Sequence, residues 1–311
     1  MAVAHHATAA PKAFPDAEGY GATARGGRGG AVYQVTHLGD RGSGSLRACV
    51  QAEEPRTCVF RVGGTIVLSK QLSLGGPRLT IAGQTAPGDG VLLRAADDMK
   101  PGALLRINRD DVIVRHLRFR RGMSSSEEAD RNDSLQLLNA RRVILDHVSV
   151  SWGVDENVGI ANSSDVTIQW SIIAEALRGS NHPKGAHSMG LLVQGMGQGV
   201  SIHHNLFAHN DERNPRIKIA GATDVVNNLV YNSGSVPTVV TDEPGRVNIN
   251  YVGNTYWKGV DSPASDDTLD LRPTAGHGIE VYAAGNEAPV PSATLSGEGQ
   301  VWAADEPFPT P

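Results

Sequence analysis

The stretch VSIHHNLF, residues 200–207, decides the fold of this chain. Apolar β-forming residues alternate with polar ones, as in a short strand that is buried on one face. Five other segments share this pattern, with a polar position near the middle: VIVRHLRF (112–119), VILDHVSV (143–150), VTIQWSII (166–173), VVNNLVY (225–231) and INYVGNTY (249–256). The equivalent positions Leu117, Val148, Ser171, Asn205, Asn228 and Asn254 recur at irregular intervals, of which the shortest is 23 residues.

A repeat of this length, rich in strands and variable in its loops, predicts an all-β fold, a right-handed single-stranded parallel β-helix, or solenoid. One coil would hold three short strands, and longer intervals would carry inserted loops. Asn205, Asn228 and Asn254 are expected to stack as a side-chain ladder at one bend, although asparagine is also common in ordinary turns. A Greek-key sandwich is the competing fold. It would need hairpin signals between strands, of which Asp89-Gly90 is one of few.

Composition limits the classes of function. The 311 residues carry 28 Lys and Arg against 33 Asp and Glu, a net charge of -5, which argues against a nucleic-acid partner. No segment approaches the ~18 consecutive apolar residues of a membrane span. With 36 glycines and 5% aromatic residues, the chain has the composition of many short strands with tight turns.

The domain interpretation is a disordered leader at 1–12 followed by one catalytic β-helix domain at 13–311. Residues 13–30 are expected to cap the first coil together with the loop around SLRACVQ, because an open solenoid end exposes strand edges. The chain after about residue 260 is expected to lie along the outside of the coils. Cys49 and Cys58 predict a short disulfide-closed loop, which is typical of secreted proteins; two buried thiols are the alternative.

A dense cationic run follows the predicted strand at 200–207, in HHNLFAHNDERNPRIKIAG (203–221). Asn214 precedes Pro215 and is therefore restricted to extended backbone. Arg213, Arg216 and Lys218 are then presented along an extended segment, at about 7 Å per two residues. This arrangement suits a polymer with one negative charge on each repeating unit, so an acidic polysaccharide or a bridging metal is favoured.

Several ordered motifs carry a resemblance to a known family. They are AFPDAEGYGATARGGRGGAVYQVTHLGDRGSGSLRACV, LTIAGQTAPGDGV, VILDHVSVSWGVDE, HPKGAHSMG and HHNLFAHNDERNPRIK. Together they resemble the pectate lyases of polysaccharide lyase family 1, from about Phe14 to about Gly259. The resemblance implies a parallel β-helix, extracellular action, Ca²⁺ and β-elimination on polygalacturonate.

The resemblance also implies roles for the cations. It places the catalytic base at Arg213, although arginine is normally protonated in proteins and pairing with a substrate carboxylate is the simpler role. Lys184, in HPKGAH, matches a lysine that holds substrate and assists catalysis; a solvated loop lysine is the alternative. Arg216 and Lys218 are expected to bind substrate. Lys218 stands where many members have arginine, so it keeps the charge but loses bidentate binding.

Asp133 and Asp155 match the family's calcium ligands, and Ca²⁺ prefers several such oxygen ligands. Two further acids of the family pattern are missing, because Arg131 and Gly159 occupy their positions. Glu156 is assigned as a third ligand, and Asp130 could also compensate by position. With fewer carboxylates, calcium is expected to bind weakly until substrate completes the site; a solvated acidic turn is the alternative for Asp155 and Glu156.

Two histidine-containing patterns receive structural interpretations. Asp146 and His147 are expected to form a buried hydrogen-bonded pair that orders neighbouring coils. His203, His204 and His209 invite a zinc assignment. It is rejected because consecutive strand residues such as His203 and His204 face opposite sides.

The leading prediction is a secreted, monomeric, Ca²⁺-dependent pectate lyase. It would cut α-1,4-polygalacturonate and leave a 4,5-unsaturated uronide. A non-catalytic β-helix protein that binds acidic polysaccharide is the alternative from another class. A galacturonan hydrolase is less consistent, because it needs adjacent carboxylate pairs as acid and base. A uronan other than galacturonan remains open.

Overall fold

Three parallel sheets wind around one core in a computed structural model that describes residues 10–125, 129–265, 267–274, 276–288, 293–295 and 299–311. Every pairing between named strands in these residues is parallel, and the coils between residues 56 and 272 each pass from sheet 1 to sheet 2 to sheet 3. The predicted parallel β-helix is therefore confirmed. In the described residues, no helix is long and apolar enough to cross a membrane.

Strands are numbered in chain order. Sheet 1 contains β1 (Ala31–Val35), β2 (Arg56–Phe60), β5 (Leu79–Ala82), β8 (Val112–Arg115), β11 (Arg141–Asp146), β14 (Ser164–Gln169), β17 (Val200–His203), β20 (Gly221–Val226), β23 (Val247–Val252), β26 (Ile279–Ala284) and β28 (Val301–Ala303). Sheet 2 contains β3 (Gly64–Leu68), β6 (Val91–Ala95), β9 (Leu117–Arg120), β12 (Ser149–Ser151), β15 (Ile172–Ala174), β18 (Leu206–Ala208), β21 (Leu229–Tyr231) and β24 (Thr255–Trp257). Sheet 3 contains β4 (Leu72–Ser73), β7 (Leu105–Ile107), β10 (Leu135–Leu138), β13 (Glu156–Ala161), β16 (Met189–Gly195), β19 (Arg216–Ile219), β22 (Thr238–Thr241), β25 (Leu269–Arg272) and β27 (Ala293–Leu295).

The core consists of inward side chains that stack from coil to coil. In sheet 1 one such row is fully buried and in continuous register: Val114, Leu145, Ile168, Ile202 and Val225. Because side chains of a strand alternate between its faces, the alternation seen in the sequence places these residues inside. The same alternation leaves the residues between them on the outer face.

The predicted asparagine ladder is confirmed at the bend between sheets 1 and 2. The Asn205 backbone N–H and side-chain amide both donate to Asn228 Oδ1, at 3.0 and 3.1 Å. Asn228 repeats both bonds to Asn254 Oδ1, and Asn254 repeats them to Asn286. Ser171 precedes the ladder, since its N–H donates to Asn205 Oδ1. Each buried amide therefore satisfies the backbone of a neighbouring coil.

The N-terminal segment does not cap the first coil, which corrects that expectation. It lies across the outer face of sheet 1, where Gly21 N–H donates to Thr167 Oγ1 at 2.9 Å and Tyr20 N–H donates to Ser201 Oγ. A Cβ atom on Gly21 would lie 2.2 Å from Val143 O, so only glycine allows this approach. The short helix α1 (Leu46–Gln51) contacts β1, β2 and β4 near the start of the coils instead.

The tail also differs from expectation. Strands β25 and β26, over 269–284, extend sheets 3 and 1 and so continue the coils after residue 260. The final residues lie on the outer face of sheet 1, where Phe308 N–H donates to Asn250 Oδ1 and Pro309 O accepts from Tyr20. The expectation that this whole tail packs outside is therefore wrong for 269–284.

The Cys49–Cys58 disulfide is confirmed, with the two Cα atoms 5.9 Å apart. It joins α1 to β2 beside Arg56, a fully buried side chain whose guanidinium donates to the carbonyl oxygens of Cys49 and Val50. Residues 1–9 of the expected leader at 1–12 lie outside the described residues.

Candidate active site and metal centre

The candidate site lies where the chain turns into sheet 3. Strands β10, β13, β16 and β19 bring four coils into register there, so residues far apart in sequence become neighbours. Gly159 pairs with Gln136 on one side and Leu192 on the other, and Leu192 pairs with Arg216. The parallel register therefore places the metal and cation motifs predicted from the sequence side by side.

Asp133, Asp155 and Glu156 form a group that we call the acidic cluster. Each offers one carboxylate oxygen, and these oxygens all lie within 4.8 Å of one another. Asp133 and Glu156 are 3% and 5% exposed, so two of these acids are well removed from water. The three metal ligands predicted from the sequence are thus brought together, which a solvated acidic turn would not do.

Local hydrogen bonds fix Asp133 within the cluster. Its Oδ1 accepts from the Glu156 backbone N–H at 3.2 Å, and its Oδ2 accepts from Gln136 Nε2 at 3.2 Å. Burial raises the pKa of Asp133 well above its usual range, and the nearby Asp155 carboxylate raises it further. A buried carboxylate beside other carboxylates is stabilised by a bound cation.

The oxygen ligands of the acidic cluster fit Ca²⁺. If each carboxylate binds through one oxygen, the cluster supplies three of the six to eight that this ion takes, and water or substrate would supply the remainder. Gly159 leaves room for the Asp133 carboxylate, because a Cβ atom at 159 would lie 2.8 Å from Asp133 Oδ2. The Asp133 carboxylate therefore uses the space that a side chain at 159 would need.

Asp130 does not belong to the acidic cluster as the described residues define it. It lies in a short 3-10 turn, Ala129–Arg131, and is exposed to solvent. Glu156, the other residue expected to compensate, does belong to the acidic cluster.

Arg213 precedes β19 and faces the acidic cluster. Its Nη1 forms an ion pair with Glu156 Oε1, and its side chain is 15% exposed. The backbone at Arg213 has a φ of 62°, and its carbonyl accepts from Leu191 N–H at 2.6 Å. Gly190 permits this contact, because a Cβ atom there would lie 2.6 Å from Arg213 O. Burial lowers the pKa of Arg213. Of the neighbouring charges, the Asp155 and Asp133 carboxylates act in the opposite direction and Arg216 in the same direction.

Arg216 and Lys218 project from the same outer face of β19, two residues apart, as predicted. The prediction that the extended run includes Arg213 is wrong, because the backbone of Arg213 is left-handed and β19 begins at Arg216. Lys218 Nζ lies 2.9 Å from Glu243 Oε2, so an exposed carboxylate already pairs with this cation. Arg216 Nε is buried and has no hydrogen-bond partner among the described residues. Lys184 is exposed on the loop between β15 and β16.

Two histidines of that loop were missed by the sequence analysis. His182 and His187 are each 4% exposed, and their rings stack with centroids 3.9 Å apart. His187 Nε2 lies 2.9 Å and His182 Nε2 lies 3.5 Å from Asp155 Oδ1. Burial lowers the pKa of His182, and the adjacent His187 lowers it further. Their spacing on both sides of Lys184 in HPKGAH was the available signal.

Asp146 forms a second network on sheet 1. This fully buried carboxylate accepts from Arg115 Nε on the preceding coil and from Gln169 Nε2 on the following coil, both at 2.7 Å. His147 Nδ1 lies 3.0 Å from the same carboxylate. Asp146 and His147 therefore link three coils, as expected of a structural pair, although His147 itself is half exposed.

The expected orientation of His203 and His204 on opposite sides of the strand is wrong. Their Nδ1 atoms lie 2.9 Å apart rather than on opposite sides. Strand alternation ends here because His204 has a φ of 55°, which turns its side chain towards His203. In the described part of the chain, neither residue belongs to a group of three or more possible metal ligands.

No family model matches the chain. It is 41% identical over 281 residues to probable pectate lyase C of Aspergillus fumigatus, a match that covers 89% of this chain and 61% of that protein. The chain thus spans about three fifths of the length of such relatives. The identity shows homology to proteins that carry this name, and the resemblance found in the motifs is confirmed.

Solved structures agree at the level of the fold. Jun a 1, the major allergen from cedar pollen, is 18% identical with a TM-score of 0.60, covering 94% of this chain and 84% of its own. The pectate lyase from Bacillus sp. N165, in complex with trigalacturonate, is 13% identical with a TM-score of 0.53, covering 88% of each chain. Both share the architecture described above.

Proposed function

We propose that this chain is a pectate lyase that cleaves α-1,4-polygalacturonate by Ca²⁺-assisted β-elimination and leaves 4,5-unsaturated oligogalacturonides. The observation that carries the proposal is the convergence of the acidic cluster with Arg213 on one face of the coils. Homology to proteins named probable pectate lyase supports the same reaction.

The reaction removes the C5 proton of a uronate, next to its carboxylate. That proton is weakly acidic, because the anion that forms lies beside an existing negative charge. Bound Ca²⁺ would neutralise part of this charge and so lower the barrier. Asp133, Asp155 and Glu156 would hold the ion. Arg216, Lys218 and Lys184 would bind substrate carboxylates along the outer face of sheet 3.

Arg213 is proposed to accept the C5 proton. The C5–H electron pair then forms the C4–C5 double bond, the bond from C4 to the glycosidic oxygen breaks, and that oxygen takes a proton from water. A guanidinium can act as a base only if its pKa is depressed. Burial and Arg216 lower the pKa of Arg213, whereas Asp155, Asp133 and the ion pair with Glu156 favour its protonated form. Substrate that displaces Glu156 from Arg213 would therefore favour proton transfer.

The Cys49–Cys58 disulfide supports the proposal of a secreted protein, because disulfides persist in oxidising compartments. We further propose that residues 13–311 act as one catalytic unit and that the protein functions as a monomer.

The test is the ultraviolet absorbance of the unsaturated uronide formed from polygalacturonate, measured with Ca²⁺ and then with excess chelator. We expect the absorbance to rise in the presence of Ca²⁺, and we expect this rise to stop when excess chelator is added. Binding of polygalacturonate without any rise would favour the non-catalytic polysaccharide-binding alternative. A rise that persists in chelator would retain the lyase but reject the assigned metal ligands.

A further inference from the structure

We propose that His182 and His187 are positioning residues that hold Asp155 through one carboxylate oxygen and connect the metal ligands to the loop of Lys184. The inference rests on the proposed metal site, because Asp155 is one of its ligands. It concerns the residues behind that ligand, to which the sequence motifs assigned no role.

The first support is the one-sided contact with Asp155. Both histidine Nε2 atoms approach Oδ1, at 2.9 Å from His187 and 3.5 Å from His182. The two rings are parallel within 5°, so they approach from one direction. Among the described residues, no hydrogen bond to Asp155 Oδ2 is found. This arrangement orients the carboxylate and leaves one oxygen directed away from the histidines, as required of a ligand held by outer partners.

The second support is the hydrogen-bonding state of His182. Its Nδ1 accepts from the Lys184 backbone N–H at 3.2 Å, which assigns the ring proton to Nε2 in the neutral form. Nε2 is buried and has no hydrogen-bond partner among the described residues, although Asp155 lies next to it. A protonated Nε2 has no lone pair for a metal. His182 is therefore suited to donate to Asp155 rather than to coordinate an ion itself.

The third support is the position of the pair at the base of the loop. His187 N–H donates to Arg178 O at 3.3 Å, and Gly185 N–H donates to His182 O at 3.0 Å. These bonds close the loop, and Lys184 lies at its exposed tip between the two buried histidines. One ring thus contacts both Asp155 and the Lys184 backbone, so the metal ligand and the substrate-binding lysine share a support.

Replacing His187 tests the contact with Asp155. His187→Ala is expected to weaken Ca²⁺ binding about 10-fold, within the range usual for partners of metal ligands. His187→Gln is the matched variant, because its side-chain amide can donate from a similar reach, and it should restore most of the affinity. The measurement is a calorimetric titration of the full chain with Ca²⁺ alone, without substrate.

Replacing His182 separates its two contacts. In His182→Asn the side-chain oxygen stands near the Nδ1 position and can still accept from Lys184 N–H, but the donor to Asp155 is lost. In His182→Gln a donor can reach Asp155, but the acceptor for Lys184 is lost. The Asn variant should lose Ca²⁺ affinity more than it raises KM for polygalacturonate. The Gln variant should raise KM more than it loses Ca²⁺ affinity.

Asp155→Asn distinguishes failure of this inference from failure of the metal site. If Asp155→Asn binds Ca²⁺ as the unaltered chain does, the metal assignment itself is rejected. If Asp155→Asn loses Ca²⁺ while His187→Ala keeps it, the positioning role is overturned. Equal behaviour of His182→Asn and His182→Gln in both measurements would overturn the link to Lys184. Should His187→Ala not fold, the two His182 variants and His187→Gln decide the question.

Discussion

Two buried acidic groups of this molecule differ in how their charge is compensated. Asp146 receives Arg115, Gln169 and His147, so both of its oxygens have donors. The acidic cluster places three carboxylates within 4.8 Å and pairs Glu156 with a single arginine, Arg213. The balance of charge separates the two groups, because the hydrogen bonds from Glu156 N–H and Gln136 satisfy the oxygens of Asp133 but add no positive charge. A fully compensated carboxylate supports the coils, whereas an undercompensated group is suited to hold a cation.

The largest expected effect is the loss of activity when Arg213, the arginine at the acidic cluster, is replaced. Arg213→Ala should lower kcat/KM on polygalacturonate about 10³-fold, because the proposed base is lost. Arg115→Ala is the matched control, since it removes an arginine that pairs with a buried carboxylate away from the site. It should leave turnover within about threefold but lower the free energy of unfolding by about 3 kcal/mol. Comparable activity of the two variants would remove Arg213 from the mechanism.

The second prediction replaces one acid in each group. Asp133→Asn should abolish the rise in Tm that Ca²⁺ produces. In chelator it should raise the free energy of unfolding by about 1 kcal/mol or more, because a buried like charge is removed. Asp146→Asn should keep the Ca²⁺ effect and lower stability, since Arg115 loses its buried partner. Thermal unfolding with and without Ca²⁺ measures both. A destabilised Asp133→Asn in chelator would contradict the interpretation of the acidic cluster.

The third prediction concerns the space beside Asp133. Gly159→Ala places a Cβ atom 2.8 Å from Asp133 Oδ2, so this carboxylate has to move. Ca²⁺ affinity is expected to fall about fivefold, which corresponds to about 1 kcal/mol. Gly179→Ala is the control, because its Cβ atom would meet no atom within 4 Å. Calorimetric titration of both variants with Ca²⁺ checks the difference; equal affinities would show that the space beside Asp133 does not matter.

The last prediction concerns how stability depends on pH, through a buried histidine outside both groups. Burial, and after it the adjacent His204, lower the pKa of His203 from 6.5 to about 4. The unfolded chain therefore takes up a proton first as pH falls. Stability from this group is present above about pH 6.5 and is lost towards pH 4, up to about 3 kcal/mol. His203→Gln should flatten this part of the stability profile in denaturant unfolding; an unchanged slope would contradict the assignment.

Much of the fold could be predicted because it depends on local alternation. The strands of Leu145 and Ile168 carry apolar residues two positions apart, at 143 and 145 and at 166 and 168, and this period of two specifies an inward face. The Asn205 ladder could be predicted because an asparagine recurs at the same place after β17, β20 and β23. The N-terminal segment could not, since its path across sheet 1 depends on contacts of small residues such as Gly21 with coils more than a hundred positions away.

The candidate site could be predicted only in part. Asp133, Asp155 and Glu156 were assigned from motifs, and the parallel register brings them together. His182 and His187 could not be predicted, because their position depends on how a loop packs against Asp155. Alternation within strands does not specify the path of a loop. His203 and His204 were misjudged because alternation applies only within a strand, and His204 begins the left-handed turn after β17.

The most direct test of the comparison is a crystal structure of the protein grown with Ca²⁺ and trigalacturonate. The proposed metal site predicts a calcium ion about 2.3–2.6 Å from oxygens of Asp133, Asp155 and Glu156. It also predicts no ion at Asp146, whose oxygens already accept from Arg115 and Gln169. An ion at Asp146, or a bound trisaccharide with no ion at the acidic cluster, would contradict the account.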